Sequence, residues 1–247
     1  MLLGFSVLLK FDFARFQENN SWMPFGVALG ILFILMFFLL GKSSQKAGIS
    51  VTTLANKLSL VFPVIFSLIY FNEEITILKY TGLVLAILAV LLTIYKKDVK
   101  KTSLSLIALP LLIFFGSGLI DSLIKYVQAV QISAGQAAEF SCFVFFVSFL
   151  CGVVISVFNG SNKNKWVHAP TLLLGALLGL ANFGSLYFII NALNKSNLES
   201  SLVFALNNMS IVALSAIIGA FFFKEKLNKF NIAGIILAIL SLYILLI

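Results

Sequence analysis

The sequence predicts an all-α polytopic membrane protein, a helical bundle built from an inverted repeat, with about eight spans of a five-plus-five plan. Three observations carry this expectation. The chain is 61% hydrophobic and 11% charged, with a mean hydropathy of +1.09, whereas soluble domains are roughly a quarter charged. Its apolar residues gather into long continuous windows, which excludes a β-barrel, whose strands alternate apolar and polar positions. Finally, the segment Val51 to Leu92 reappears without a gap at Val203 to Ile244, shifted by 152 positions. Asn56 falls on Asn208, Phe71 on Phe223, Glu73 on Glu225, Gly82 on Gly234, and Leu85-Ala86-Ile87-Leu88 on Leu237-Ala238-Ile239-Leu240.

A membrane-crossing helix needs about 20 mostly apolar residues. The windows that qualify are 22–40, 50–71, 77–95, 104–124, 138–158, 170–193, 200–223 and 229–247. Pro63, Pro110, Gly116, Gly118, Gly175, Gly179 and Gly219 fall inside them and do not argue against helix, because membrane helices tolerate both residue types. The connections are short, so neighbouring spans run antiparallel.

The first nine residues, Met1 to Leu9, are apolar but too short to cross, and Lys10 to Arg15 follow them. A signal peptide has its basic residues ahead of the apolar run, so this stub reads as the tail of an earlier helix. The trio 170–247 is preceded by two spans, the matching trio 22–95 only by the stub. Residues 1–98 are therefore expected to form a first repeat that lacks its first helix and most of its second. Residues 104–247 form a complete second repeat of five spans. Five spans separate equivalent helices of the copies, and an odd number turns one copy over relative to the other.

Lysine placement suggests an orientation. Loops 41–49, 96–103, 159–169 and 224–228 hold Lys42, Lys46, Lys96, Lys97, Lys100, Lys101, Lys163, Lys165, Lys224 and Lys226; the opposite set holds Lys10, Arg15, Lys79, Lys125 and Lys195. The positive-inside rule puts the first set in the cytoplasm and the C-terminus outside. The net charge of +8 thus belongs to membrane flanks and not to a nucleic-acid surface. Cys142 and Cys151 share one expected helix, roughly 13 Å apart along its axis, too far to pair; they read as small apolar residues.

Several stretches carry a family resemblance: Gln45-Lys-Ala-Gly-Ile-Ser-Val51, Leu58-Ser-Leu-Val-Phe-Pro63-Val-Ile-Phe66, Tyr70-Phe-Asn-Glu73 and Tyr80-Thr-Gly82-Leu-Val-Leu-Ala86. In order, they resemble the EamA-type, ten-helix branch of the drug/metabolite transporter superfamily. Phe221-Phe-Phe-Lys-Glu225 with Ala233-Gly234-Ile-Ile-Leu237 resembles that family's second domain, and Gly116-Ser-Gly118-Leu-Ile-Asp121-Ser-Leu-Ile-Lys125-Tyr126 the helix that opens it. The resemblance covers nearly the whole chain. It implies a multi-pass protein of the bacterial inner membrane that moves a small organic metabolite by alternating access, with protons as the candidate coupling ion. Duplicated spans point the same way, because many secondary transporters bind their solute between such repeats. Family members have both termini in the cytoplasm, opposite to the lysine count, so the topology stays open.

Lys57 is the most unusual residue, about eight residues or roughly 12 Å into its span. A charge at the bilayer centre costs at least about 2.5 kcal/mol and so faces a cavity or a partner. It can bind an anionic solute group or pair with an acid; the alternative is snorkelling to the interface. Asn56 and Asn208 are repeat-equivalent at one depth, with Asn207 beside the second, and serve either a shared solute path or as interhelical glue. Asp121 and Lys125 have the i, i+4 spacing of an ion pair, with Asp121 a candidate proton-binding acid. Glu139 opens the next span, where an acid is favourable at a helix N-terminus. Asn182, Tyr187 and Asn191 are candidates for one cavity wall. Glu73 and Glu225 sit in tight turns and read as structural, and His168 stands alone. The expected substrate-binding set is Asn56, Lys57, Asn207, Asn208, Asp121 and Asn182. No metal site, cofactor, phosphate loop or nucleophile motif is legible, and the expectation is no enzyme. The rival readings are a transport-inactive truncated chain and a membrane-embedded enzyme, the latter requiring clustered acids or histidines.

Overall fold

The computed structural model describes residues 20–46, 49–72, 76–94, 104–133, 135–158, 169–222 and 229–246. They form nine α-helices: α1 (Met23–Lys46), α2 (Ile49–Leu58), α3 (Val61–Tyr70), α4 (Ile77–Ile94), α5 (Leu104–Tyr126), α6 (Ala137–Phe158), α7 (Ala169–Lys195), α8 (Ser200–Phe222) and α9 (Lys229–Leu246). A π-helical turn, Val127–Gln131, extends α5. No strand occurs among the described residues. The stub Met1–Leu9, Glu73, Glu225, His168 and loops 96–103 and 224–228 lie outside the described residues, as does nearly all of 159–169.

Among the described residues, four helical stretches are long and apolar enough to cross a membrane: Met23–Lys46, Ala108–Gln131, Ala137–Ile155 and Leu173–Lys195. Shorter apolar stretches cover Ala55–Tyr70, Tyr80–Ala89 and Ile232–Ser241. The expected window 50–71 departs from a single helix, because α2 ends at Leu58 and α3 begins at Val61. Pro63 explains the break. It has no N–H for the Ser59 carbonyl, and its ring crowds that carbonyl. The Ser59 oxygen instead accepts from Phe62 N at 3.0 Å, and Leu60 N reaches back to Lys57 O at 3.4 Å. The Asn56 carbonyl, deprived of its usual donor, accepts from Ser59 Oγ at 2.6 Å. In the second copy Ser215 stands at the place of Pro63, and α8 is continuous.

Helix ends elsewhere follow local chemistry. Asn72, just past α3, and Asn197, just past α7, have φ of 51° and 54°. Asn is the residue other than Gly that most readily takes this left-handed conformation at a helix end.

The chain divides into two compact units, each drawing on both halves of the sequence. The first contains residues 1–35 and 123–197. In it, Gly26 and Gly30 present a small-residue face of α1 to α6: a Cβ on Gly30 would lie 2.7 Å from Val147 Cβ. Membrane helices use such spacing to bring backbones together, and Ser148 Oγ donates to the Gly30 carbonyl at 2.9 Å. The fully buried Trp22 meets Phe140 and Phe143 edge-on, with ring centroids 5.7 and 5.3 Å away.

The second unit contains residues 36–122 and 198–247, and so holds both copies of the 51–92 repeat. Here α9 lies along its repeat counterpart α4, and α8 packs on α3, α4 and α9. Leu60, Val64, Ala86, Ala89 and Met209 form the core, with Leu58, Leu68, Leu83 and Leu237 packed against it. Ser241 Oγ donates to the Gly82 carbonyl at 3.0 Å across α4 and α9. Ser43 and Thr52 share a buried 2.7 Å hydroxyl hydrogen bond that ties the end of α1 to α2.

Candidate functional site

Within the second unit, three helices bring polar side chains together. From α2 come Asn56 and Lys57, from α5 Ser117 and Asp121, and from α8 Asn208. Lys57 Nζ donates to Asn208 Oδ1 at 3.4 Å, and Ser117 Oγ donates to Asn56 Oδ1 at 2.7 Å. Asn208 is buried at 7% exposure, while its Nδ2 donates to Phe204 O one turn back at 3.0 Å. Its oxygen is thereby left to face Lys57, the assignment an ammonium demands, since Lys offers only donors.

Asp121 follows Ser117 by four residues and lies on the same face of α5. The Ser117–Asn56 hydrogen bond turns that face toward α2, and Asp121 and Lys57 act on each other electrostatically. Both are half-buried. The opposite charges ease each other's removal from water, which neither could bear alone in an apolar bundle. Close packing holds the arrangement: a Cβ on Gly118 would overlap the ring of Phe62, and Phe62 in turn meets Phe114 and Phe115 with centroids 5.0 and 5.5 Å away.

The expected residues fare differently. Asn56, Lys57, Asn208 and Asp121 converge. Asn207 is exposed, because adjacent residues on a helix point about 100° apart. Asn182 belongs to the other unit, and its Nδ2 donates to Leu178 O at 2.8 Å. Asn191 folds back in the same way onto Tyr187 O at 2.9 Å, while the Tyr187 ring stacks on Phe183 at 6.1 Å. These amides spend a donor on their own helix. Lys125 Nζ donates to Gln128 Oε1 at 3.1 Å, and Lys57 acts electrostatically on Asp121. Ser117 was not among the expected residues, although its place four residues before Asp121 is legible. Glu139 is buried at 3% exposure, with Oε2 lacking a hydrogen-bond partner among the described residues. No cluster of three His, Cys, Asp or Glu occurs among the described residues.

Together these features define a helical protein with helices long and apolar enough to cross a membrane and a charged, amide-lined cluster between helices of one unit. No family model matches the chain. An uncharacterized protein of Haemophilus influenzae is 30% identical over 231 residues, which span 93% of this chain and 76% of that one. The chain belongs to the same family as that protein. The fold also matches a crystal structure at a TM-score of 0.69 and 12% identity, covering 100% of this chain and 97% of the other; at that identity the likeness is one of fold alone.

Proposed function

We propose that the chain is a secondary transporter of a small organic metabolite, of the EamA-type ten-helix branch of the drug/metabolite transporter superfamily, seated in a bacterial inner membrane. Its two repeats, inverted relative to each other, alternate access to a shared site. The observation that carries this reading is the hydrogen bond from Lys57 to Asn208, which joins residues 151 positions apart. It links one copy of the duplicated segment to the other through Asn208, the counterpart of Asn56. Solute sites of duplicated transporters form at such a junction, and a charge held there at a cost of at least about 2.5 kcal/mol favours function over scaffolding.

In this reading Lys57 attracts an anionic group of the solute, Asn56 and Asn208 orient it by hydrogen bonds, and Asp121 keeps the empty site electrically balanced. Solute that displaces Asp121 from the field of Lys57 leaves a carboxylate able to take up a proton, which makes protons the coupling ion. The test begins with a thermal-shift screen of a metabolite library on the purified protein, followed by counterflow of the hit in proteoliposomes. Lys57→Met retains the length and apolar stem of the side chain. It should abolish both the shift and the counterflow, and the stability lost by leaving Asp121 without its opposing charge should return in the double variant Lys57→Met, Asp121→Asn, which still fails to bind. Full counterflow by Lys57→Met, or solute binding restored in the double variant, would refute the role given to the ammonium.

A further inference from the structure

We propose that the first unit binds a monovalent cation, a proton or an alkali-metal ion, at the Glu139 carboxylate. Glu139 stands in the first turn of α6 and is buried at 3% exposure. Its Oε2 has no hydrogen-bond partner among the described residues. The usual structural duty of an acid at this place is not being performed. A glutamate at the third helical position ordinarily reaches back to the N–H of the capping residue, but Gln136 N donates to Ser133 O at 3.0 Å. The Gln136 side chain caps the turn instead, with Oε1 accepting from Ser133 N at 2.9 Å. Ser141 Oγ, two residues on, donates to Ala137 O at 2.7 Å.

The chain neighbours Ala137, Ala138, Phe140 and Cys142 are buried with Glu139, and Trp22 closes on Phe140 edge-on. Cys142 feels the charge of Glu139, but a thiol is only a weak donor. The other titratable side chains on the described helices of this unit are Lys125 and Tyr126 of α5, Cys151 of α6, and Tyr187 and Lys195 of α7; α1 has none from Trp22 to Phe33. None of them forms a hydrogen bond with the unpartnered oxygen. The helix dipole favours an acid in a first turn, yet that gain is small beside the cost of taking a carboxylate out of water. A cation on the carboxylate removes that cost. One carboxylate balances one positive charge, and a divalent ion draws on more oxygen ligands than a site with no group of three His, Cys, Asp or Glu among the described residues supplies.

Glu139 lies near the start of the Ala137–Ile155 stretch, at the level of a membrane surface, where a cation arrives from water without crossing the apolar bundle. The cluster of Lys57 and Asp121 belongs to the other unit, and binding at Glu139 is measured without any solute, so the two readings stand or fall separately.

The test uses the purified full chain in detergent and dicyclohexylcarbodiimide, an apolar reagent that modifies a carboxylic acid in a water-poor site. A reagent nitrogen takes the acid proton, the carboxylate oxygen bonds to the central carbon, and the acyl group then migrates to nitrogen as a stable N-acylurea. Peptide mass spectrometry locates the adduct, with choline chloride as the reference salt. For a proton site, the adduct on Glu139 is lost as the pH is raised and does not change with sodium, lithium or potassium chloride. For an alkali-metal site, one of these salts suppresses the adduct at constant pH. Melting temperature gives the second readout, because a cation that binds only the folded protein raises it by mass action. Wild type should melt higher with the cation identified, and Glu139→Gln, which keeps the shape without the charge, should lack that part of the rise. Asp121, Lys125, Tyr126, Tyr187 and Lys195 are present in both proteins, so their titration cancels in the comparison. The proposal is overturned if Glu139 escapes the reagent under every condition, if its adduct is indifferent to both pH and salt, or if a water-soluble carbodiimide modifies it equally well. A Glu139→Gln variant with the full wild-type response to pH and salt also overturns it.

Discussion

The helix pair α2–α3 and the single helix α8 are two copies of one sequence, and they have been put to different uses. Asn56 and Asn208 occupy the same register. One residue later, the first copy has Lys57 and the second Met209. Lys57 enters a polar network across helices, whereas Met209 is fully buried in the apolar core. Ser59 and Pro63 break the first copy; Ile211 and Ser215 stand in their places where α8 runs through. The duplicated framework kept its packing positions, while charge and chain irregularity gathered in one copy. In the transporter reading this makes the site lopsided by construction, with the solute's charged group assigned to the first copy.

Making the copies alike in the wrong direction should do most damage. Met209→Lys puts an ammonium into a fully buried apolar position, where it should cost about 3 kcal/mol or more of stability, seen as a lower unfolding midpoint in denaturant. A midpoint equal to wild type would mean that the core around Met209 admits water. Next in size, Asp121→Asn deprives Lys57 of its opposing charge and should cost about 1–3 kcal/mol. The double variant Lys57→Met, Asp121→Asn should recover most of that loss, because the two residues are coupled. Additive losses in this cycle would show that they act separately.

Pro63→Ser copies the second repeat into the first. It returns an N–H to the helix and should slow hydrogen exchange around Ser59–Leu60, with a stability change within about 1 kcal/mol. The smallest effect belongs to Ser241→Ala, which copies Ala89 into its counterpart. It removes the hydrogen bond to the Gly82 carbonyl, and such bonds between membrane helices average about 0.6 kcal/mol. A loss several times larger would indicate that α4 and α9 depend on that contact for their register.

Helix positions were readable in the sequence because apolar runs report burial in lipid or protein directly. The expected windows at 77–95, 138–158 and 229–247 match α4, α6 and α9 to within a few residues. Less was readable where one residue has two lawful outcomes. Pro63 was allowed inside a continuous helix, yet it divides α2 from α3; whether a membrane helix absorbs or breaks at a proline depends on partners for the freed carbonyls, and here Ser59 and Phe62 provide them. The spacing of Gly26 and Gly30 carries a legible signal for close helix approach, and its partner α6 is visible only in three dimensions. Repeat arithmetic put Asn56 beside Asn208 in depth, but not Ser117 on Asn56.

The sequence alone determined that the chain is helical and apolar, where its helices lie, and that one segment occurs twice. These properties follow from composition and periodicity, which each residue expresses without reference to distant ones. Tertiary structure decided which polar groups meet. Asp121 came under the charge of Lys57 across a helix interface, a relation that spacing along the chain does not announce. Asn182 and Asn191 had the same chemistry as Asn208 but turned back on their own helices. Between packed apolar helices, polar side chains take whichever partner the packing brings near, and that proximity is set by folding and not by position along the chain.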